Sequence, residues 1–192
     1  MSTTQPIRDT DKLKNFKNYY RTIKPHPRNY ALIIIGLNTA LRISDILCLT
    51  CGDVFDFSQK KFHTHMTVRE QKTGKKNQVY INDAIQDALH TYIAFDKQTE
   101  TSWIFESRGQ QGNPLSRYQA YRIIKEAAEY AGMDKHISCH SLRKTFGYYA
   151  WKQGTPPALL MTIYNHSTYQ ITKRYLGIEQ DDKDDVYKNI KI

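Results

Sequence analysis

The sequence predicts an α+β fold, mostly helical, with one small antiparallel β-hairpin in a single domain. Three observations carry this. Apolar residues recur at intervals of three and four before residue 50 and again after residue 82. Between these regions the period drops to two. No internal repeat, low-complexity tract or Pro/Gly-rich linker divides the chain, and 192 residues are enough to bury one proper core.

The opening "MSTTQPI" reads as a loose end, with residues 1–8 loose at the start of the domain. In "DTDKLKNFKNYYRTI", Leu13, Phe16, Tyr20 and Ile23 stand at helical spacing, and Asp9 or Thr10 can cap the start. A helix after Pro27 runs through "NYALIIIGLNTA" and is apolar enough to be buried. A third covers "ISDILCL" and meets a turn signal at Gly52-Asp53. "KFHTHMTVREQ" and "NQVYIN" then alternate around "KTGKK", which predicts a hairpin with a basic tip, and "VFDF" before it is a candidate third strand. Asn82 caps a helix with Ile85, Leu89, Tyr92 and Ile93 on one face. "SWIFES" is short and extended, and "GQQGNPL" is a loop. Ser116 with Gln119 forms a capping box for "RYQAYRIIKEAAEYA", which Gly132 ends. Ser138 caps "CHSLRKTFGYYAWKQ", closed by Gly154. Thr155-Pro156 opens a short helix, and Ser167 with Gln170 opens the last one.

Composition narrows the function classes. Lys and Arg exceed Asp and Glu to give a formal net charge of +9, which favours a polyanionic partner such as nucleic acid. No stretch is apolar enough to span a bilayer, and no charged-then-apolar export signal opens the chain, so a cytoplasmic protein without a membrane role is expected. Cys48, Cys51 and Cys139 read as free thiols of a reducing compartment. The CxxC of Cys48 and Cys51 lacks a second ligand pair, and His63 with His65 does not close a metal site, so no metal and no cofactor are expected.

Several charged residues sit where bland explanations compete with chemistry. His140 and Arg143 in "HSLRKTFG" share a helix face and suit an anion, although a solvated face produces the same HxxR. Arg42 lies among apolar residues and needs an anion or carboxylate partner, for which Asp45 is available. Lys72 lies at the hairpin tip, where a solvated turn is the plain reading. His166 and Tyr175, nine residues apart in "NHSTYQITKRYLG", are not made neighbours by spacing alone.

Taken together, "ALRISDILCL", "KTGKKNQVYI", "HSLRKTFG" and "NHSTYQITKRY", in that order over about residues 25 to 178, resemble the four signature segments of the tyrosine recombinases, or phage integrases. The resemblance implies the catalytic set Arg42, Lys72, His140, Arg143, His166 and Tyr175, with Asp45 supporting Arg42. It departs from the pattern mildly: Asn165 stands where glycine is frequent, and the tail after Tyr175 is short and acidic.

The resemblance implies that Tyr175 attacks a DNA phosphodiester, displaces the 5′-oxygen and leaves a 3′-phosphotyrosine link, without ATP. A free tyrosine, with a pKa of about 10, needs a proton acceptor, and His140 is the candidate. Arg42 and Arg143 would grip the phosphoryl oxygens, His166 would hydrogen-bond one of them, and Lys72 on a mobile hairpin would protonate the leaving group. Lys75, Lys76, Lys144, Lys173 and Arg174 are the expected DNA phosphate contacts. The implied partner is double-stranded DNA, bound by a protein that is mainly monomeric when free and forms a homo-oligomer, a tetramer, on paired sites.

Residues 1–178 would form the catalytic domain and 179–192 an acidic tail that is a candidate protomer-docking segment. Only about 25 residues precede the first core helix, so the helical arm of about a hundred residues usual in the family is missing. The chain starts with Met and reads as a stand-alone catalytic domain, as in the fimbrial phase-switch invertases. Integration, excision, inversion and resolution all remain open roles. A catalytically silent DNA-binding regulator and a type IB topoisomerase-like enzyme are the alternatives.

Overall fold

The computed structural model describes residues 4–107, 109, 112–133, 136–176, 184 and 187–190, with Arg174 described for its backbone only. The elements run α1 (Thr10–Asn18), a π-helical turn (Tyr19–Ile23), α2 (Pro27–Asn38), α3 (Ile43–Leu47), α4 (Cys51–Val54), β1 (Phe55–Asp56), β2 (Lys61–Phe62), β3 (His65–Arg69) and β4 (Lys76–Tyr80). Then follow α5 (Asp83–Tyr92), a 3₁₀ turn (Phe95–Lys97), α6 (Arg117–Tyr130), α7 (Cys139–Lys152), α8 (Pro157–Ile163) and α9 (Tyr169–Leu176). The architecture is the expected helical α+β domain.

The centre is α2. Its residues Ala31–Ile35 are buried all round, and it packs against α1, α5, α6 and α7. A helix apolar on every side is stable only when surrounded, and each such large side chain contributes about 1.5–3 kcal/mol of burial. Gly36 lets α7 come close: a Cβ there would lie 3.3 Å from Leu142 Cβ. This close packing brings the start of α7 beside the end of α2, where the functional residues gather. A smaller apolar cluster of Ala40, Leu160, Tyr164 and Leu176 lies beneath them.

Caps that depend on neighbours in sequence form as expected. Asp9 Oδ1 accepts from Asp11 N and Lys12 N, Asn82 Oδ1 accepts from Ile85 N, and Ser116 and Gln119 cap each other. Other details differ. The first helix loosens into a π turn at Tyr19, where two adjacent phenols converge on one carboxylate: Tyr19 Oη donates to Glu126 Oε1 at 2.9 Å and Tyr20 Oη to Oε2 at 2.7 Å. Ile23 leaves the apolar stripe and is exposed. The turn expected at Gly52-Asp53 is the short helix α4, whose Thr50–Asp53 box supplies its own cap. "VFDF" does not join the hairpin. β1 pairs with β2, whereas β3 pairs with β4 in register His65↔Tyr80 through Arg69↔Lys76, so the strand expected from residue 61 breaks between two small sheets. Finally, Pro156 is the cap of α8, and the helix begins at Pro157.

Candidate active site

Arg42 caps the start of α3 with extended backbone, so its side chain leaves the helix rather than lying along it. Its Nη1 donates to Glu70 Oε2 at 2.6 Å, while the Asp45 carboxylate is 4.0 Å away. Asp45, expected as an available partner of Arg42, spends Oδ1 on the backbone N–H of Gln71 (2.9 Å), and its buried Oδ2 has no hydrogen-bond donor among the described residues. The main partner is therefore Glu70, which stands at the end of β3. Its carboxylate also accepts from Thr73 Oγ1 (2.8 Å) and Asn165 Nδ2 (2.7 Å). Burial would push this carboxyl up, but the donors from Asn165, Arg42 and Thr73 outweigh it and hold the pKa below the ordinary value.

Arg143 sits one turn into α7, whose first turn is fixed by the Ser138 N–H donating to Ser141 Oγ. The residue is 2% exposed. Nη1 donates to the carbonyl of Ala40 and Nη2 to that of Tyr164 (2.8 Å), while Nε is buried with no partner among the described residues. Ala40 reaches this position with φ 55°, a left-handed conformation that costs an alanine about 1–2 kcal/mol. Two fixed carbonyls thus hold the arginine in place and leave Nε as a buried donor without a partner among the described residues.

The end of α8 explains where His166 goes. Asn165 adopts φ 53°, Asn165 N donates to Thr162 O and His166 N to Met161 O, both at 3.0 Å. This is a Schellman closure with asparagine in the place that usually takes glycine, and it accounts for the departure noted at Asn165. The His166 ring stacks on Tyr164 (centroids 4.9 Å apart, 13° between planes) and meets the Tyr175 ring edge-on at 4.7 Å. Its Nδ1 lies 3.0 Å from Oγ1 of Thr172, one turn before Tyr175 on α9. Among the described residues that buried hydroxyl has no other hydrogen-bond partner, so it donates to Nδ1 and the imidazole carries its proton on Nε2. Burial, then the charges of Arg143 and Arg42, lower the His166 pKa to about 4, so the ring is neutral at pH 7.

Tyr175 is half-buried, with its ring centroid 5.7 Å from the Arg143 guanidinium and 5.7 Å from the Lys144 ammonium. Of the other tyrosines near it, Tyr164 is fully buried and donates its hydroxyl to the Arg143 carbonyl at 2.7 Å, and Tyr169 is exposed at the start of α9. His140 is exposed at the mouth. Partial desolvation of its ring, then the charges of Arg143, Lys144, Arg42 and Lys72, lower its pKa below the ordinary histidine value. Ring contacts and mutual charge effects thus bring Arg42, His140, Arg143, His166 and Tyr175 to one place, and the sixth residue, Lys72, lies on an exposed loop close enough for its charge to act on His140.

Lys75, Lys76 and Lys173 are exposed, as phosphate contacts must be. Lys144 is not: it is 8% exposed, and its ammonium donates to the carbonyl of Thr4, part of an N-terminal strap in which Ile7 N donates to Thr145 Oγ1. The Arg174 side chain lies outside the described residues, as does most of the tail, although Tyr187 and Ile190 are described and exposed. Sequence reasoning missed Glu70, Asn165's amide, Thr172 and the strained Ala40. Only Asn165 left a signal, as a departure from glycine.

Two arginines, one with a buried donor that has no partner among the described residues, lie with a tyrosine and two histidines whose pKa values are lowered first by burial and then by the arginine charges. Such a site suits transfer of a phosphoryl group to a phenol. Residues 9–181 match the phage integrase family, and the chain belongs to that family. It is 40% identical over 188 residues to the probable integrase/recombinase YoeC of Bacillus subtilis (strain 168), covering 98% of this chain and 97% of that protein. It is 30% identical over 155 residues to the type 1 fimbriae regulatory protein FimB of Escherichia coli (strain K12), covering 79% of this chain and 74% of that protein. Its fold matches the XerH site-specific recombinase, solved bound to palindromic difH substrate as a post-cleavage complex, with a TM-score of 0.78 at 17% identity, over 97% of this chain and 52% of that one. The chain is a tyrosine recombinase, a DNA breaking-rejoining enzyme.

Proposed function

We propose that Tyr175 is the nucleophile of a site-specific recombination reaction on double-stranded DNA. Its phenolic oxygen bonds to the scissile phosphorus as the bond to the 5′-oxygen breaks, giving a 3′-phosphotyrosine link and a free 5′-hydroxyl. His140 accepts the phenol proton. Arg42 and Arg143 hold non-bridging oxygens, the latter through its free Nε, and His166 donates to one of them from Nε2. Lys72 supplies the proton to the departing 5′-oxygen, and rejoining reverses each step. Neither nucleophile nor leaving group requires a metal in this scheme.

The observation that carries this reading is the Tyr175 ring, held against both the Arg143 guanidinium and the His166 imidazole. Lys75, Lys76, Lys173 and Arg174 are assigned to phosphates along the duplex. Residues 1–178 are assigned as the catalytic domain and 179–192 as a segment that docks on a neighbouring protomer. On this reading the free protein is mainly monomeric and cytoplasmic, and a tetramer assembles on paired sites.

The test is a DNA duplex nicked beside the scissile phosphate, which traps the covalent link. The wild-type protein should give an adduct whose peptide maps to Tyr175, and Tyr175→Phe should give none while binding DNA within a few-fold. An adduct retained in that variant would move the nucleophile to another residue. Binding without any wild-type adduct would favour a silent regulator, and adduct without exchange between two duplexes a topoisomerase-like enzyme.

A further inference from the structure

Glu70 is a fully buried carboxylate in the midst of the site, and the scheme above leaves it without a task. A buried charge is costly unless it is paired and hydrogen-bonded. Here it binds three segments that are far apart in sequence: Oε2 accepts from Arg42 Nη1 at 2.6 Å and from Thr73 Oγ1 at 2.8 Å, and Oε1 accepts from Asn165 Nδ2 at 2.7 Å. Arg42 opens α3, Thr73 follows Lys72 at the hairpin tip, and Asn165 precedes His166.

The loop that carries Lys72 is built around the same residue. Glu70 N donates to Lys75 O (3.0 Å), Gly74 N donates to Glu70 O (2.8 Å), and Lys75 N donates to Thr73 Oγ1 (3.3 Å). Gln71 N donates to Asp45 Oδ1 on α3. Every flanking residue of Lys72 is therefore tied down, while Lys72 itself is exposed and near enough for its charge to act on His140. The hairpin expected to be mobile has an anchored tip.

We propose that Glu70 is a positioning residue: its carboxylate sets the loop of Lys72 against the phosphate-holding Arg42 and the His166 turn, so that leaving-group protonation is aligned with phosphate binding. This rests on the role given to Lys72 under Proposed function.

The test uses the full-length protein and two nicked duplexes that differ in one atom, oxygen or sulfur at the 5′-bridging position. A thiol has a pKa of about 8.5 and departs as a thiolate without needing a proton donor. Lys72→Ala should slow single-turnover cleavage of the oxygen substrate by about 10²-fold or more and cleave the sulfur substrate close to the wild-type rate. Glu70→Gln keeps the shape and removes the charge, and Thr73→Val cuts the arm to the hairpin tip together with the Oγ1 that Lys75 N donates to, leaving the arms to Arg42 and Asn165 intact. Both should slow the oxygen substrate by about 10- to 100-fold, as losing an outer partner of a reactive group does, and both should recover on sulfur. Equal slowing on both substrates, or no slowing, would make Glu70 a structural residue and overturn the proposal. If Lys72→Ala itself fails to recover on sulfur, the role of Lys72 falls, and the proposal with it. Thr73→Val, a small change on an exposed loop, keeps the test decisive if Glu70→Gln does not fold.

Discussion

At the scale of single residues, the site depends on groups that set others in place. Thr172 fixes the His166 tautomer, so Thr172→Val, nearly isosteric, should lower cleavage by about 10-fold or more through lost orientation. Nitrogen NMR of the His166 ring should show the Nε2–H form in the wild type and a mixture in the variant. The same ring couples stability to pH. Its folded pKa is about 4, and the unfolded value is about 6.5. Between these the unfolded chain binds a proton that the folded one refuses, so this contribution is full above about pH 6.5 and is lost as pH falls toward 4. Urea titrations of wild type and His166→Gln should diverge in that window, with the wild type losing more stability on acidification. Asn165 combines a left-handed backbone with a charge-assisted hydrogen bond to Glu70. Asn165→Gly keeps the first and loses the second, while Asn165→Ala loses both, so stability should rank wild type above Gly above Ala, each step about 1 kcal/mol. The reactive set was legible in the sequence because it lies in short motifs of fixed spacing. The set that holds it was not, because Glu70 meets Arg42 across 28 positions and Asn165 across 95.

At the scale of elements, α7 is the pivot, packing on α2 with one side and on α9 with the other. Gly147 makes a further contact, with the end of α8, workable: a Cβ there would lie 2.9 Å from Tyr164 Cζ. Gly147→Ala should therefore push Tyr164 off the helix, cost about 1–3 kcal/mol as overpacking does, and loosen both the Arg143 carbonyl contact and the His166 stack. Chemical denaturation would measure the first effect, and trapping on nicked DNA the second. A Gly147→Ala protein with wild-type stability would show that α8 shifts freely. Helices with sidechain caps at Asp9, Asn82 and Ser116 were legible because the signals are local. The π turn was not, since the carboxylate that its two phenols meet, Glu126, lies about a hundred residues away, and the split of the strand at residues 63–64 leaves no mark in the alternation.

At the scale of the whole molecule, the net charge of +9 should make DNA binding fall steeply with salt, by a slope of about −0.9 in log units per phosphate neutralised. Lys173→Ala should reduce that slope by about 1. Lys144→Ala should leave it unchanged and instead lower stability, because Lys144 is buried beneath the N-terminal strap. A slope that drops for Lys144→Ala would return it to the DNA-facing surface. The Asn165–Glu70 contact has a consequence beyond this one chain. An amide at 165 is useful only opposite a carboxylate at 70, and a carboxylate buried at 70 is tolerable only with enough donors around it. The two positions should therefore change together in descent: lineages with glycine at the α8 terminus should carry an uncharged residue at the end of β3, and aligned relatives sorted by the first position would reveal whether the second follows.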